Sequence, residues 1–237
     1  PSLLVEPLYY ADGQQLEEVY VDGSFRQSLM FQRGVTCTNC HNAHTGKLKR
    51  SGNAVCLQCH KPDPNPSFPT AAGNFDSPKH HFHKEGSKGA LCVTCHMPAR
   101  PYMGIQLRPD HSIRNPRPDL SVKLGVPDAC TTCHVGKTAQ WSADAVVKWY
   151  GPVRKQGTHY GEAFAAARAG DPSGNPALAQ LIVNRGMPAI VRASALEQLR
   201  GEPEVGAAER IKAARDPDAE VRTAAANSME GLSVAQR

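Results

Sequence analysis

Cys37-Thr38-Asn39-Cys40-His41, Cys56-Leu57-Gln58-Cys59-His60, Cys92-Val93-Thr94-Cys95-His96 and Cys130-Thr131-Thr132-Cys133-His134 decide how this sequence is read. They hold all 8 of its cysteines. Cys37/Cys40 and Cys56/Cys59 also satisfy the spacing of a four-cysteine zinc ribbon, and a lone Cys-x-x-Cys pair serves redox exchange. The histidines separate these alternatives. The sequence has 10 His in 237 residues. One behind every pair by chance has a probability of roughly a few in a million, and a four-cysteine zinc site has no use for any of them. Cys-x-x-Cys-His instead joins two thioethers to a porphyrin and sets the adjacent imidazole under the iron. We therefore expect four covalent haem c groups with their iron, held by Cys37, Cys40, Cys56, Cys59, Cys92, Cys95, Cys130 and Cys133. His41, His60, His96 and His134 are the expected proximal ligands.

Working outward, residues 37–134 are rich in Pro, Gly, Asn and charge and show no sustained helical or strand period. Such a stretch cannot bury enough side chain to order itself. Porphyrins would fill its core, with loops such as Pro62-Asp63-Pro64-Asn65-Pro66 and Arg114-Asn115-Pro116-Arg117-Pro118 wrapping them. Upstream, Asp12-Gly13 reads as a turn and residues 24–32 as a short helix capped by Gly34. Downstream, Trp141-Ser142-Ala143-Asp144-Ala145-Val146-Val147-Lys148-Trp149 reads as a helix closing the region.

Six histidines remain for the sixth positions of four irons: His44, His80, His81, His83, His111 and His159. His44 follows His41 too closely to reach the far face of its own haem, so its target is a neighbour's iron. Of His80, His81 and His83, at most two point the same way, and His80 with His83 is the better pair on a helical turn. His111 sits in Arg108-Pro109-Asp110-His111-Ser112, where Asp110 or a backbone carbonyl could hold the ring in one tautomer. His159, at the start of the repeat region, reads as a structural or surface residue. Met97 is badly placed beside His96, while Met103 would raise the potential of any haem it served.

After residue 150 the composition turns Ala-rich and a repeat emerges. Residues 177–201 align on 207–231 at an offset of 30, matching Ala177 with Ala207, Arg185 with Arg215, Ala189 with Ala219, Val191 with Val221, Arg192 with Arg222, Ala195 with Ala225 and Gly201 with Gly231. Each unit reads as helix, turn, helix, with Asp216-Pro217-Asp218 as turn and start signal. The unit resembles HEAT-type repeats. The expected fold is thus mostly α with much irregular loop: a haem-cored multihaem cytochrome c domain over 1–150, then a short HEAT-like α-solenoid over 151–237. About two and a half units are few for independent stability, so the repeats are expected to lean on the haem domain or to continue beyond this sequence.

Residues 9–151 resemble the C-terminal haem region of a bacterial family of multihaem c-type cytochromes that carry tetratricopeptide or HEAT-type repeats, distantly related to cytochromes with doubled Cys-x-x-Cys-His motifs. The resemblance is carried by Ala11-Asp12-Gly13-Gln14, Glu18-Val19-Tyr20-Val21-Asp22-Gly23-Ser24-Phe25, Gly34-Val35-Thr36-Cys37, Cys95-His96-Met97-Pro98, Tyr102-Met103, Asp110-His111-Ser112 and Pro116-Arg117-Pro118-Asp119-Leu120-Ser121. It implies His44, His80, His83 and His111 as the distal iron ligands. It also implies an upstream half with further haem motifs, so this sequence is expected to be the end of a longer cytochrome or to dock on a partner supplying the rest.

The formal charge of +5 falls to about +1 once four ferric bis-histidine haems with ionised propionates are counted at about −1 each, which removes any electrostatic case for nucleic-acid binding. No run of about 18 apolar residues is long enough for a transmembrane helix, and Pro1-Ser2-Leu3-Leu4 does not read as a signal peptide. Covalent haem attachment places the protein in the bacterial periplasm or outside the cell. Electron transfer is the expected function, as a non-enzymatic carrier or relay. The alternatives are a subunit of a multihaem redox enzyme or of an extracellular cytochrome assembly. Expected partners are redox proteins or further cytochrome subunits, including a homo-oligomer or multichain complex.

Overall fold

The computed structural model describes residues 3–152, 157–202 and 204–230. Pro1, Ser2 and Gly231, the last aligned position of the repeat, lie outside them. The architecture is mostly helical, with long irregular loops and one small antiparallel sheet. In chain order the elements are α1 (Val21–Phe25), α2 (Leu29–Gln32), α3 (Cys37–Cys40), α4 (Pro78–His81), α5 (Cys92–His96), β1 (Ala99–Tyr102), β2 (Gln106–Pro109), α6 (Pro118–Leu124) and α7 (Ala139–Tyr150). There follow α8 (Tyr160–Arg168), α9 (Asn175–Val183), α10 (Ala189–Gln198), α11 (Ala207–Ala213) and α12 (Ala219–Ser228).

The helix expected over 24–32 is two helices. Ser28 breaks it by taking an extended conformation and accepting the Phe31 N–H on its hydroxyl, 3.1 Å away, which makes it the N-cap of α2. Gly34 ends α2 as expected. At φ +84° it lets Val35 N–H reach back to Met30 O and its own N–H to Phe31 O, each at 3.0 Å, the Schellman pattern. The Asp12-Gly13 turn is also present, with Gly13 at φ +83°. The β1–β2 hairpin escaped sequence reading because Pro98, Pro101 and Pro109 erase the alternation that marks a strand.

The apolar core lies in the Ala-rich region. Phe164, Leu178, Ile182, Ile190, Val191, Leu196, Leu199, Val221 and Ala225 are buried together. Their helices form two consecutive pairs, α9/α10 and α11/α12. The helices that carry Val191 and Val221 begin at Ala189 and Ala219, the spacing of the repeat. Both valines are fully buried. Arg192 reaches into the Asp216-Pro217-Asp218 turn and pairs with the Asp216 carboxylate, both side chains buried. Arg210 is fully buried and donates to the carbonyls of Leu199, Glu202, Val205 and Ser228. Charge is tolerated there because every donor direction used meets a backbone carbonyl oxygen.

Leu4, Tyr9 and Val19 belong to this same core. Ser194 accepts the Leu4 N–H at 2.8 Å, and Arg168 donates to the carbonyls of Leu4 and Tyr9. The first residues of the chain therefore pack with its last helices. A buried polar knot lies beside this junction. The Arg114 guanidinium bonds the Asp12 carbonyl at 2.9 Å and its carboxylate at 3.2 Å, and the Tyr160 hydroxyl donates to the same carbonyl at 2.8 Å.

His159 is structural, as expected. It is the N-cap of α8, accepting the Gly161 N–H on Nδ1 at 3.1 Å. Burial, with the Arg114 charge nearby, pushes its pKa down from 6.5 to about 4. The fold thus favours the neutral ring, and this stabilisation is complete above pH 6.5 and lost as pH falls toward 4. Asparagine can cap without titrating. The melting temperature of H159N relative to the natural protein should therefore rise steadily as pH is lowered through this window; an offset independent of pH would refute the assignment.

Candidate haem sites

Each motif is one helical turn. His41, His60 and His134 N–H groups donate to the carbonyls of Cys37, Cys56 and Cys130 at 2.8, 3.0 and 2.9 Å, while the third motif lies within α5. Positions i, i+3 and i+4 of a helical turn share a face, so both cysteines and the histidine are presented together. Local caps hold these turns. Asn39 Oδ1 accepts the Thr36 N–H at 2.7 Å, and Asp128 accepts from Cys130 N–H, Thr131 N–H and the hydroxyls of Thr131 and Ser142. Burial pushes the Asp128 carboxyl up, but these hydrogen bonds outweigh it and hold the group below the usual carboxylate range. Asn53 ties the second motif to the third, accepting Cys92 N–H at 2.9 Å and donating to Asp76 and Ala90.

The motifs follow one another in space. Cys40 lies near Cys59, Cys56 near Cys92, and Cys95 near Cys133. Burial is the main influence raising the thiols of Cys40, Cys59, Cys95 and Cys130, the last to about 11, so none of these four is poised as a reactive thiolate. Among the described residues no three or more His, Cys, Asp or Glu side chains gather as a metal cage.

What gathers instead is imidazoles: besides His81 and His83, 6.5 Å apart, three motif rings each stand near a ring from outside the motifs. The rings of His41 and His111 stand 6.4 Å apart at 29°, those of His96 and His80 6.1 Å apart and parallel, and those of His134 and His83 6.1 Å apart at 39°. Each pair joins a motif histidine to a histidine outside the motifs. With an iron between them, metal–nitrogen bonds of about 2 Å and ring centres roughly 1.1 Å behind each nitrogen put the centroids about 6 Å apart.

The protonation pattern agrees. Nδ1 of His41, His60, His96, His111 and His83 faces the carbonyl oxygens of Gly46, Ala71, Arg114, Pro109 and His81 at 2.7, 3.0, 2.9, 3.0 and 2.5 Å. A carbonyl only accepts, so Nδ1 carries the proton and the Nε2 lone pair of the neutral ring is left for a metal. His81 is the reverse: its Nδ1 accepts the His83 N–H at 3.1 Å, which puts the proton of the neutral ring on Nε2. Burial, and then neighbouring His96 and His81, push the His80 pKa down.

The distal candidates are placed in ways spacing did not foretell. His80 ends within α4, but His83 lies beyond Phe82, which is left-handed at φ 56°, so the two do not share a helical turn. The carbonyl of Pro109 holds His111, while Asp110 accepts the Ser112 N–H. His44 is exposed on a turn whose N–H groups at His44 and Thr45 bond Asn42 Oδ1. His60 meets Phe75 edge-on at 5.8 Å. Met103 stands exposed at the hairpin tip. Leu48, Phe75, Phe82, Leu91 and Val135 leave apolar surface uncovered close to the motifs, the lining an apolar macrocycle needs.

A family model described as the doubled CXXCH motif matches residues 30–65. No curated protein and no solved structure matches the chain. The matched stretch is a multihaem c-type cytochrome-like region, and the Cys-x-x-Cys-His motifs indicate covalently bound haem c with its iron. This class of site fits an electron-transfer protein.

If Asp128 shapes the fourth turn for attachment, D128A should lose about 1–2 kcal/mol of stability. Intact mass should show a fraction of the protein one haem short, with Cys130 and Cys133 alkylatable in that fraction. Full haem loading of the variant would refute this role.

Proposed function

We propose that the chain is a four-haem c-type cytochrome that relays electrons outside the cytoplasm, with His41, His60, His96 and His134 as proximal and His111, His44, His80 and His83 as distal ligands. One observation carries the reading: three motif histidines each face a non-motif histidine at the separation an intervening iron requires. His44 and His60 are the ligands left for the second motif's haem. A haem held by these residues would supply one-electron exchange at its iron. The protein's part is to fix the rings of His41, His60, His83, His96 and His111 through Nδ1, so that little would move when the charge changes. Two strong nitrogen ligands also keep the potential below that of a Met/His haem. Contiguous motifs favour transfer from one haem to the next. A catalytic subunit would need an axial position free for substrate, and the three facing pairs favour the relay instead.

Helix pairs α9/α10 and α11/α12 are two HEAT-like units in this reading, and they offer a surface for redox partners or further cytochrome subunits. Periplasmic or extracellular location follows from the requirements of covalent haem attachment. Among the described residues no helix is long and apolar enough to cross a membrane.

Intact mass and iron analysis of the purified protein should give four haems, and electron paramagnetic resonance of the oxidised form only low-spin signals. H111A should convert one haem in four to high spin. A high-spin ferric haem in the natural protein, or no change in H111A, would overturn the ligand assignment.

A further inference from the structure

Helix α7 lies against both histidines of the fourth motif's pair. Trp141, in its first turn, packs on His134 at 4.9 Å between ring centres, and Trp149, in its last, meets His83 edge-on at 6.0 Å. Eight residues of helix separate the two indoles by about 12 Å along the axis, enough to pass alongside a pair of rings and touch each from outside. Thr138 caps the helix by accepting the Trp141 N–H at 3.2 Å, which fixes the end that bears on His134.

The contact at the other end works through the backbone. Phe82 links α4 to His83 in the left-handed region at φ 56°, ψ 26°, a conformation that a bulky side chain adopts only when its surroundings hold it there. Those surroundings are on α7. The Phe82 ring stacks on Trp149 at 4.8 Å and 4°, Tyr150 packs edge-on at 5.6 Å, and the Tyr150 hydroxyl donates to the His80 carbonyl at 2.5 Å. Without the left-handed step the chain would continue α4, and His83 would turn away from His134. Gly89 leaves the room the redirected ring occupies: a Cβ there would meet the His83 ring at 2.3 Å.

We propose that α7 is a splint for the axial pair at the fourth motif, with Trp149 the positioning residue that keeps His83 at the iron by clamping the left-handed Phe82. This rests on the bis-histidine reading above and adds to it that the sixth ligand there is held by tertiary stacking. A coordination position is therefore one aromatic contact away from opening, and small diatomic ligands are the class it would then admit.

The test uses the holoprotein, reduced and titrated with carbon monoxide, which binds ferrous haem only where the sixth position is free or weakly held. The natural protein and W149F, which retains an aromatic face, should show no uptake, whereas W149A should bind one equivalent per four haems. F82L provides the second variant should W149A fail to assemble, since it removes the stack and leaves Trp149 in place; it too should bind one equivalent. Silence in the natural protein and in the assembled variants would overturn the splint alone. Uptake by the natural protein would overturn the relay reading and the splint with it.

Discussion

A carbonyl oxygen within hydrogen-bonding distance of Nδ1 is the constraint on which the site depends. It settles where the proton sits on His41, His60, His83, His96 and His111, and in doing so turns the Nε2 lone pair outward. A free imidazole divides its population between two tautomers and rotates. One bound in this way loses most of that freedom when the chain folds, so a metal bond does not have to supply the ordering. The carbonyls come from Gly46 and Arg114 in loops and from Ala71, His81 and Pro109 at the last residues of short elements. The loops and element ends of this region are thus a scaffold for ring orientation.

Arg114 shows how the scaffold is anchored. Its carbonyl fixes His96, while its guanidinium is held by Asp12 in the knot that Tyr160 closes. Burial works against the charge, but Asp12 and Asp110 outweigh it and keep the guanidinium firmly protonated. Removing one member of such a knot leaves a buried charge or donor without its partner, which costs more than the pair contributes. The α-helical core, the N-terminal segment that packs into it and the third motif are therefore mechanically linked.

Much of the candidate site was legible in the sequence, because covalent attachment demands a local pattern. The four Cys-x-x-Cys-His turns, the capping role of Gly34, the α7 helix and the offset of 30 between the starts of α10 and α12 are all short-range features. Other features were hidden for identifiable reasons. The split between α1 and α2 turns on one hydroxyl of Ser28, and the hairpin is masked by prolines. The role of Arg210 was invisible, since nothing in an Arg codon's neighbours announces that four carbonyls from distant turns converge on it.

The sequence by itself determined the chemistry of attachment and the pool of spare histidines, since both depend on residue type and on spacing within a single turn. Only the tertiary structure decided that His41 faces His111, that His96 faces His80 and that His134 faces His83. Those pairings join segments up to 70 residues apart, and the placing of His83 depends on a left-handed Phe82. Such long-range placements are fixed by packing and by backbone hydrogen bonds, to which spacing along the chain gives no direct access.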